Sequence, residues 1–306
     1  MYNLDVVPYH YGSMPGYNDK QKIVEHYDLI SPYYLKLWGE HLHHGYWVTG
    51  VESKEEAQVA LTDLLAEAAG IQRSASVLDV GCGFGASSLR LASKYQASVT
   101  GITISKTQAV IARQAAVRAN LAAQFLVMDA EEITLRDKLD VIWSIEAISH
   151  FTDKASFFAQ TCELLKPGGT LALIDWFKRE ELTAAERQAY IAPIERGMLV
   201  ELKTISEYGE MIRDAGLDVV VTSDLSTRCA KTWDITTDLI KTPTLWRLAR
   251  DRGTEFVRFL RSFSAMRKGF ATGSFVYGMI IARQSDSASW KLKRTRARHF
   301  GAADTV

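Results

Sequence analysis

The segment VLDVGCGFG, Val77 to Gly85, sets an acid and three glycines where a short apolar strand passes into a helix. Glycines at such a junction let a ligand approach the backbone and present amides at a helix N-terminus. A dinucleotide fingerprint can be laid on Gly81, Gly83 and Ala86, but two features point elsewhere. Asp79 stands two residues ahead of Gly81, where a carboxylate repels a pyrophosphate. About 20 residues on, where a nicotinamide ribose needs an acid, VTGITIS supplies none. An acid beside a glycine loop suits a cationic ligand with an amino-acid moiety. A second set of reactive side chains follows later strands: Glu146 and His150 in SIEAISH, one helical turn apart, and Asp175 near the end of TLALIDW. A partly buried His, Glu or Asp there can take a proton from a substrate. Each also has a plainer use: Glu146 to orient a ligand or an amide, His150 as a satisfied core residue, Asp175 as a cap.

These residues need a frame that brings strand ends together. SVLDV, ASVTGITI, FLVM, LDVIWSI and TLALIDW are short apolar runs separated by helical segments, the rhythm of a parallel sheet covered on both faces. LDVVVTS and SFVYGMIIAR complete seven strands. The expected fold is α/β, a doubly wound, mostly parallel Rossmann-like sheet with an N-terminal helical lid and a helical insertion before the last strand. Residues 1–60 read as arm and lid, 61–285 as the ligand-binding domain with an insertion at 225–272, and 286–306 as a basic, disordered tail. In the lid, residues 20–42 have helical spacing interrupted by Pro32 and Gly39, and Ser53 with Glu56 forms a capping box for a helix closed by Gly70.

Composition narrows the class. With 36 basic and 36 acidic side chains among 306 residues, the chain lacks the basic excess of a polyanion binder, so no nucleic-acid partner is expected. No apolar run is long enough to span a bilayer, and the N-terminus lacks the layout of a secretion signal, so a cytoplasmic protein is expected. Cys82, Cys162 and Cys229 form no CxxC pair, against a disulfide framework or zinc site. His41, His43 and His44 have no acidic or cysteine partner downstream to complete a metal set.

The glycine loop with Asp79, together with YDLIS, LWGEHLHHGYW, VTGITISKTQ, MDAEEI and LLKPGGTLALIDW, resembles class I S-adenosylmethionine-dependent methyltransferases. The likeness is to the small-molecule group that includes γ-tocopherol and sterol C-methyltransferases, with cyclopropane synthases as more distant cousins. It runs from about Lys22 to Gln284. The resemblance implies S-adenosylmethionine as cofactor, with Asp79, Gly81 and Gly83 holding its methionine part. Thr103 and Gln108 take the ribose role, although Gln108 can instead close a capping box with Ser105. Asp129 accepts from the adenine amino group, or caps a helix, and Ala130 and Glu131 flank the ring. Tyr27, Tyr46 and Trp47 are the lid aromatics expected to meet the sulfonium. Glu146, His150 and Asp175 are the proton-handling candidates, Glu146 foremost, on the ground that poor solvation raises its pKa. Close relatives often carry two histidines where this chain has Ser149-His150.

The expected reaction is methyl transfer to a small, largely apolar acceptor such as a prenylated ring, sterol, phenol or polyketide. Carbon is favoured as the methylated atom, with oxygen or nitrogen close behind. A nicotinamide oxidoreductase and a non-catalytic cofactor-binding protein are the rivals. Nothing in the sequence sets the oligomeric state.

Overall fold

Near-continuous apolar strands belong where helices cover both faces of a sheet, and the computed structural model, which describes residues 19–285, bears this out. The strands are β1 (Ser76–Val80), β2 (Ser98–Thr103), β3 (Gln124–Val127), β4 (Leu139–Ile145), β5 (Leu165–Lys178), β6 (Leu217–Asp224) and β7 (Phe275–Gln284). They form a single sheet in the order β3-β2-β1-β4-β5-β7-β6. The first five are mutually parallel, and β7 runs antiparallel between β5 and β6.

Strand period two gives the interior two large cores, with a smaller cluster of Cys82, Ala112, Ala116 and Phe125. Val77, Trp143, Ile174 and Ile281 face one side with Leu61, Leu65 and Leu91. Leu78, Ile142, Leu173 and Ile280 face the other with Phe157, Phe158 and Tyr208. The helices before β6 are α1 (Asp19–Leu37), α2 (Lys54–Ala69), α3 (Ala86–Lys94), α4 (Lys106–Ala119), α5 (Lys154–Leu164), α6 (Ala184–Glu186), α7 (Ala192–Met198) and α8 (Ile205–Asp214). Between β6 and β7 come α9 (Ser226–Cys229), α10 (Lys231–Leu239), α11 (Pro243–Arg252) and α12 (Thr254–Thr272), the expected helical insertion.

Local signals settle several helix ends. Ser53 and Glu56 close the capping box of α2, and Gly70 ends it in the left-handed conformation. The helix crosses residue 60 and buries Leu61, Leu65 and Ala66, so the lid and the sheet share it. Pro32 does not interrupt α1, contrary to the sequence expectation. A proline costs the helix one amide and some bending; Ile30 and Ser31 are nonetheless buried beside it, and packing carries the helix through to Leu37. The N-terminal arm before residue 19 and the basic tail at 286–306 lie outside the described residues.

Strand order reverses at β1, whose neighbours are β2 and β4. At such a switch point the loops leaving two strands diverge and open a crevice at their carboxyl ends. The loops in question are Gly81–Gly85 after β1 and Glu146–Ala147 after β4.

Candidate active site

One cavity joins the glycine loop, the turn after β4, the lid and the insertion helices. Asp79, Gly81, Gly83, Thr103, Gln108, Asp129, Ala130, Glu131, Glu146, His150 and Tyr27 all line it. Eleven of the residues singled out from sequence therefore meet at one place.

The loop is shaped for close approach. Gly81 has φ +74°, and a Cβ there would stand 2.3 Å from the Ala147 Cβ. Gly83 has φ +53° and lies beneath Leu42 of the lid segment, 3.2 Å from where its Cβ would be. Asp79 is buried, and its Oδ2 accepts a hydrogen bond from the Ser88 hydroxyl at 2.5 Å. Burial pushes its pKa up to about 7, against the pull of Ser88. A desolvated carboxylate at the cavity wall is suited to an ammonium group, which restores the charged form. The loop and Asp79 fit the amino-acid end of the expected cofactor.

At the end of β2, the Thr103 hydroxyl donates to Gln108 Oε1 at 2.8 Å. Ser105 caps α4 by accepting from the Gln108 amide, but the Gln108 side chain does not return to Ser105. The competing use as a capping box is thus only half realised, and the Gln108 side chain stays on the cavity. No helix follows Asp129, so the helix-cap alternative fails; its Oδ1 accepts from the Glu131 amide at 2.9 Å within a turn. Its Oδ2 meets Lys20 Nζ at 2.6 Å, and Glu131 pairs with the same ammonium at 2.9 Å.

Helix α1 closes this side. Asp28 accepts from the Ser105 hydroxyl at 2.5 Å and from the Thr107 amide at 3.0 Å, so a lid carboxylate sits at the N-terminus of α4. The Tyr27 hydroxyl lies 3.0 Å from His150 Nε2. His150 Nδ1 is 3.1 Å from the Leu199 carbonyl, which only accepts, so Nδ1 carries the proton and Nε2 accepts from Tyr27. Both ring nitrogens are engaged, and burial lowers the His150 pKa to about 4.

Glu146 leaves β4 in the left-handed region, at φ +54°, a conformation that non-glycine residues seldom adopt. Its Oε1 collects three donors: the His44 amide at 2.7 Å, His44 Nδ1 at 2.8 Å and the Tyr277 hydroxyl at 2.7 Å. Burial pushes its pKa up, but His44, His43 and Tyr277 outweigh this and hold the carboxyl below its ordinary value. The expectation of a raised pKa is therefore corrected. Poor solvation is present, but hydrogen bonds to the charged form prevail.

Three residues do not line the cavity. Asp175 is buried behind it, accepting from the Ser149 amide, the Trp176 amide and the Tyr208 hydroxyl. It is a cap whose pKa burial raises to about 6. Trp47 turns away from the lid, donating to the Glu52 carbonyl with Lys231 over its ring. Tyr46 packs at the rim of the core. The aromatics that do line the cavity include Tyr27, Tyr34, Trp38, Trp143, Trp176 and Trp233. Among the described residues no group of three or more possible ligands could hold a metal ion.

Sequence reasoning missed His44 as a partner of Glu146, and Tyr277 altogether. The HLHH run marked His44 for the lid, but nothing in SFVYGMIIAR singles out Tyr277, because only the placement of β7 beside β5 carries it to the β4 turn.

Comparison with known proteins accords with this geometry. A family model described as mycolic acid cyclopropane synthetase matches residues 16–265. The 27-O-demethylrifamycin SV methyltransferase of Amycolatopsis mediterranei (strain S699) is 31% identical, covering 85% of this chain and 96% of its own length. The chloroplastic tocopherol O-methyltransferase of Arabidopsis thaliana is 29% identical, covering 87% and 82%. Among solved structures, the [4+2]-cyclase SpnF superposes with a TM-score of 0.77 at 25% identity, over 87% of this chain and 96% of that one.

Proposed function

The chain belongs to the mycolic acid cyclopropane synthetase family of methyltransferases, and on that premise we propose that its acceptor is a lipophilic, oxygenated small molecule methylated at a hydroxyl. S-adenosylmethionine is the donor, supplying a methyl group on a positively charged sulfur that passes in line to the acceptor. Asp79 holds the donor's ammonium, the loop at Gly81 and Gly83 cradles its methionine part, and Thr103 with Gln108 faces its ribose. Asp129, Ala130 and Glu131 border the adenine. The lid aromatic Tyr27 and the α1 helix exclude water.

One observation carries the choice of acceptor. Trp38, Trp143, Trp176 and Trp233 line the cavity, and the indole N–H of each is buried and meets no protein acceptor. The insertion wall around them is apolar, with Leu245, Phe259, Leu260, Phe263 and Met266. A bare hydrocarbon would fill this chamber but leave the donors unmet, at a cost of about 1–3 kcal/mol each. An oxygenated polyketide or phenol satisfies both demands. Two relatives named for O-methylation, or for a 27-O-demethyl substrate, support oxygen as the methylated atom. A ring carbon is the second reading, since loss of a phenolic proton also places charge on adjacent carbons.

The likeness to a cyclase shows that the frame hosts other chemistry, so the test is transfer itself. Labelled methyl should pass to hydroxylated phenols and polyketide alcohols and not to the same skeletons lacking the hydroxyl, and product spectra should place it on oxygen. Transfer to the deoxygenated set would sink the acceptor reading. All three cysteines are thiols, and no described helix is long and apolar enough to cross a membrane. The free thiols support a reducing compartment such as the cytoplasm.

A further inference from the structure

His44 is held from several sides. Its ring stacks on Tyr277 with centroids 4.3 Å apart at 23°, and meets the edge of Trp233 at 4.6 Å. Its amide and its Nδ1 both bond to Glu146 Oε1. That oxygen already accepts from the His44 amide and from Tyr277, so it faces Nδ1 as an acceptor and Nδ1 is the donor; the same donors favour the ionised carboxylate. In the neutral ring the lone pair then lies on Nε2. This nitrogen is buried and without a hydrogen-bond partner, in a residue that lines the cavity beside Trp176 and Trp233.

We propose that His44, through Nε2, takes the proton of the acceptor hydroxyl, and that Glu146 is the positioning residue that fixes its tautomer. The inference rests on the reading of a hydroxyl-bearing acceptor. The hydroxyl O–H bond breaks and its proton goes to Nε2. The oxygen forms the new bond to the methyl carbon, and the pair of the broken carbon–sulfur bond stays with the departing sulfur. The imidazolium is balanced by Glu146 until its proton passes to water. A histidine held by a carboxylate on one nitrogen and free at the other is the general arrangement for activating a hydroxyl. The other candidates are less available: His150 has both nitrogens engaged and Asp175 is off the cavity. The titratable groups that face the pair are Tyr277 from β7, His43 from the lid segment and Cys229 from α9. Tyr27 and Tyr34 of α1, His150 and Asp175 act on Glu146 from farther off.

The test uses the full chain with a hydroxylated acceptor that the wild type methylates. His44→Gln should lose about 10²- to 10⁴-fold in kcat while calorimetry shows S-adenosylhomocysteine binding within a few fold. A phenol already ionised at the assay pH should recover most of that loss, which a merely structural role would not allow. Glu146→Gln should shift the acid limb of the pH profile to lower pH, because the imidazolium loses its counter-charge. In ¹⁵N-histidine spectra of the wild type, the resonance that His44→Gln removes should report the Nδ1-protonated tautomer. Undiminished turnover in His44→Gln, equal loss with the ionised phenol, or an Nε2-protonated ring would each overturn the assignment of His44 alone. No transfer by the wild type to any hydroxylated acceptor would sink the acceptor reading and this inference together.

Discussion

Asp79 illustrates how one side chain ties donor binding to pH. Burial raises its pKa to about 7, while in the unfolded chain it titrates near ~4. Between those values the folded state binds more protons, so this residue's contribution to stability falls as pH rises through the window. The ligand-free Asp79→Asn variant should therefore melt above the wild type at pH 8, with the gap closing by pH 5. Calorimetry across that range checks it, and a gap that is constant or widens at low pH would refute it. For the ligand the sign is opposite. An ammonium requires the ionised carboxylate, so S-adenosylhomocysteine should bind more tightly at pH 8 than at pH 6. Asp79→Asn should weaken binding by roughly 10- to 100-fold and remove most of that pH dependence.

At the scale of elements, α1 is joined to the ligand-binding edge by short polar links, the placement expected of a lid. Asp28 reaches Ser105 and Thr107, Lys20 reaches Asp129 and Glu131, and Tyr27 reaches His150. The links fall on the groups proposed to meet ribose, adenine and the methyl-transfer end, so closure and donor binding are expected to be coupled. Hydrogen exchange across 19–37 should slow markedly with S-adenosylhomocysteine in the wild type. Asp28→Ala removes two bonds to α4, worth roughly 1–3 kcal/mol. It should raise exchange across α1 and speed donor release by about tenfold. Exchange that is the same with and without ligand would argue against a lid.

For the molecule as a whole, the cavity is built by elements distant in the chain: α1 and its following segment, the β1, β2 and β4 loops, and α10 to α12. A ligand there bridges both ends of the sequence, so stabilisation should appear as one cooperative shift. Binding to the folded state alone contributes about 2.7 kcal/mol at a hundredfold excess over Kd, or roughly 5–10 °C for a domain of this size. Scanning calorimetry with S-adenosylhomocysteine should show this as a single moved peak. Two separated transitions, only one of them ligand-dependent, would mean that the lid or the insertion folds apart from the sheet.

Much of this was legible in the residues themselves. The apolar runs, their helical spacers and the glycine loop with Asp79 determine an α/β sheet and a cationic, amino-acid-bearing ligand, because strand periodicity, capping and backbone freedom are local. The capping box of α2 and the placement of Gln108 next to Thr103 are likewise short-range. What lay beyond reach were choices made by side chains far apart in sequence. Glu146 looked like a base because its own strand is apolar, yet it is 102 positions from His44 and 131 from Tyr277, the donors that hold it charged. Trp47 and Tyr46 read as ligand aromatics from their neighbours, but packing beside α2 and α10 turned them aside. Asp175 ends on the expected strand, and only the fold supplies the Ser149 amide and Tyr208 hydroxyl that occupy it. Local rules place a residue at an edge; the partners that set its protonation and its access to the cavity are brought there by tertiary packing.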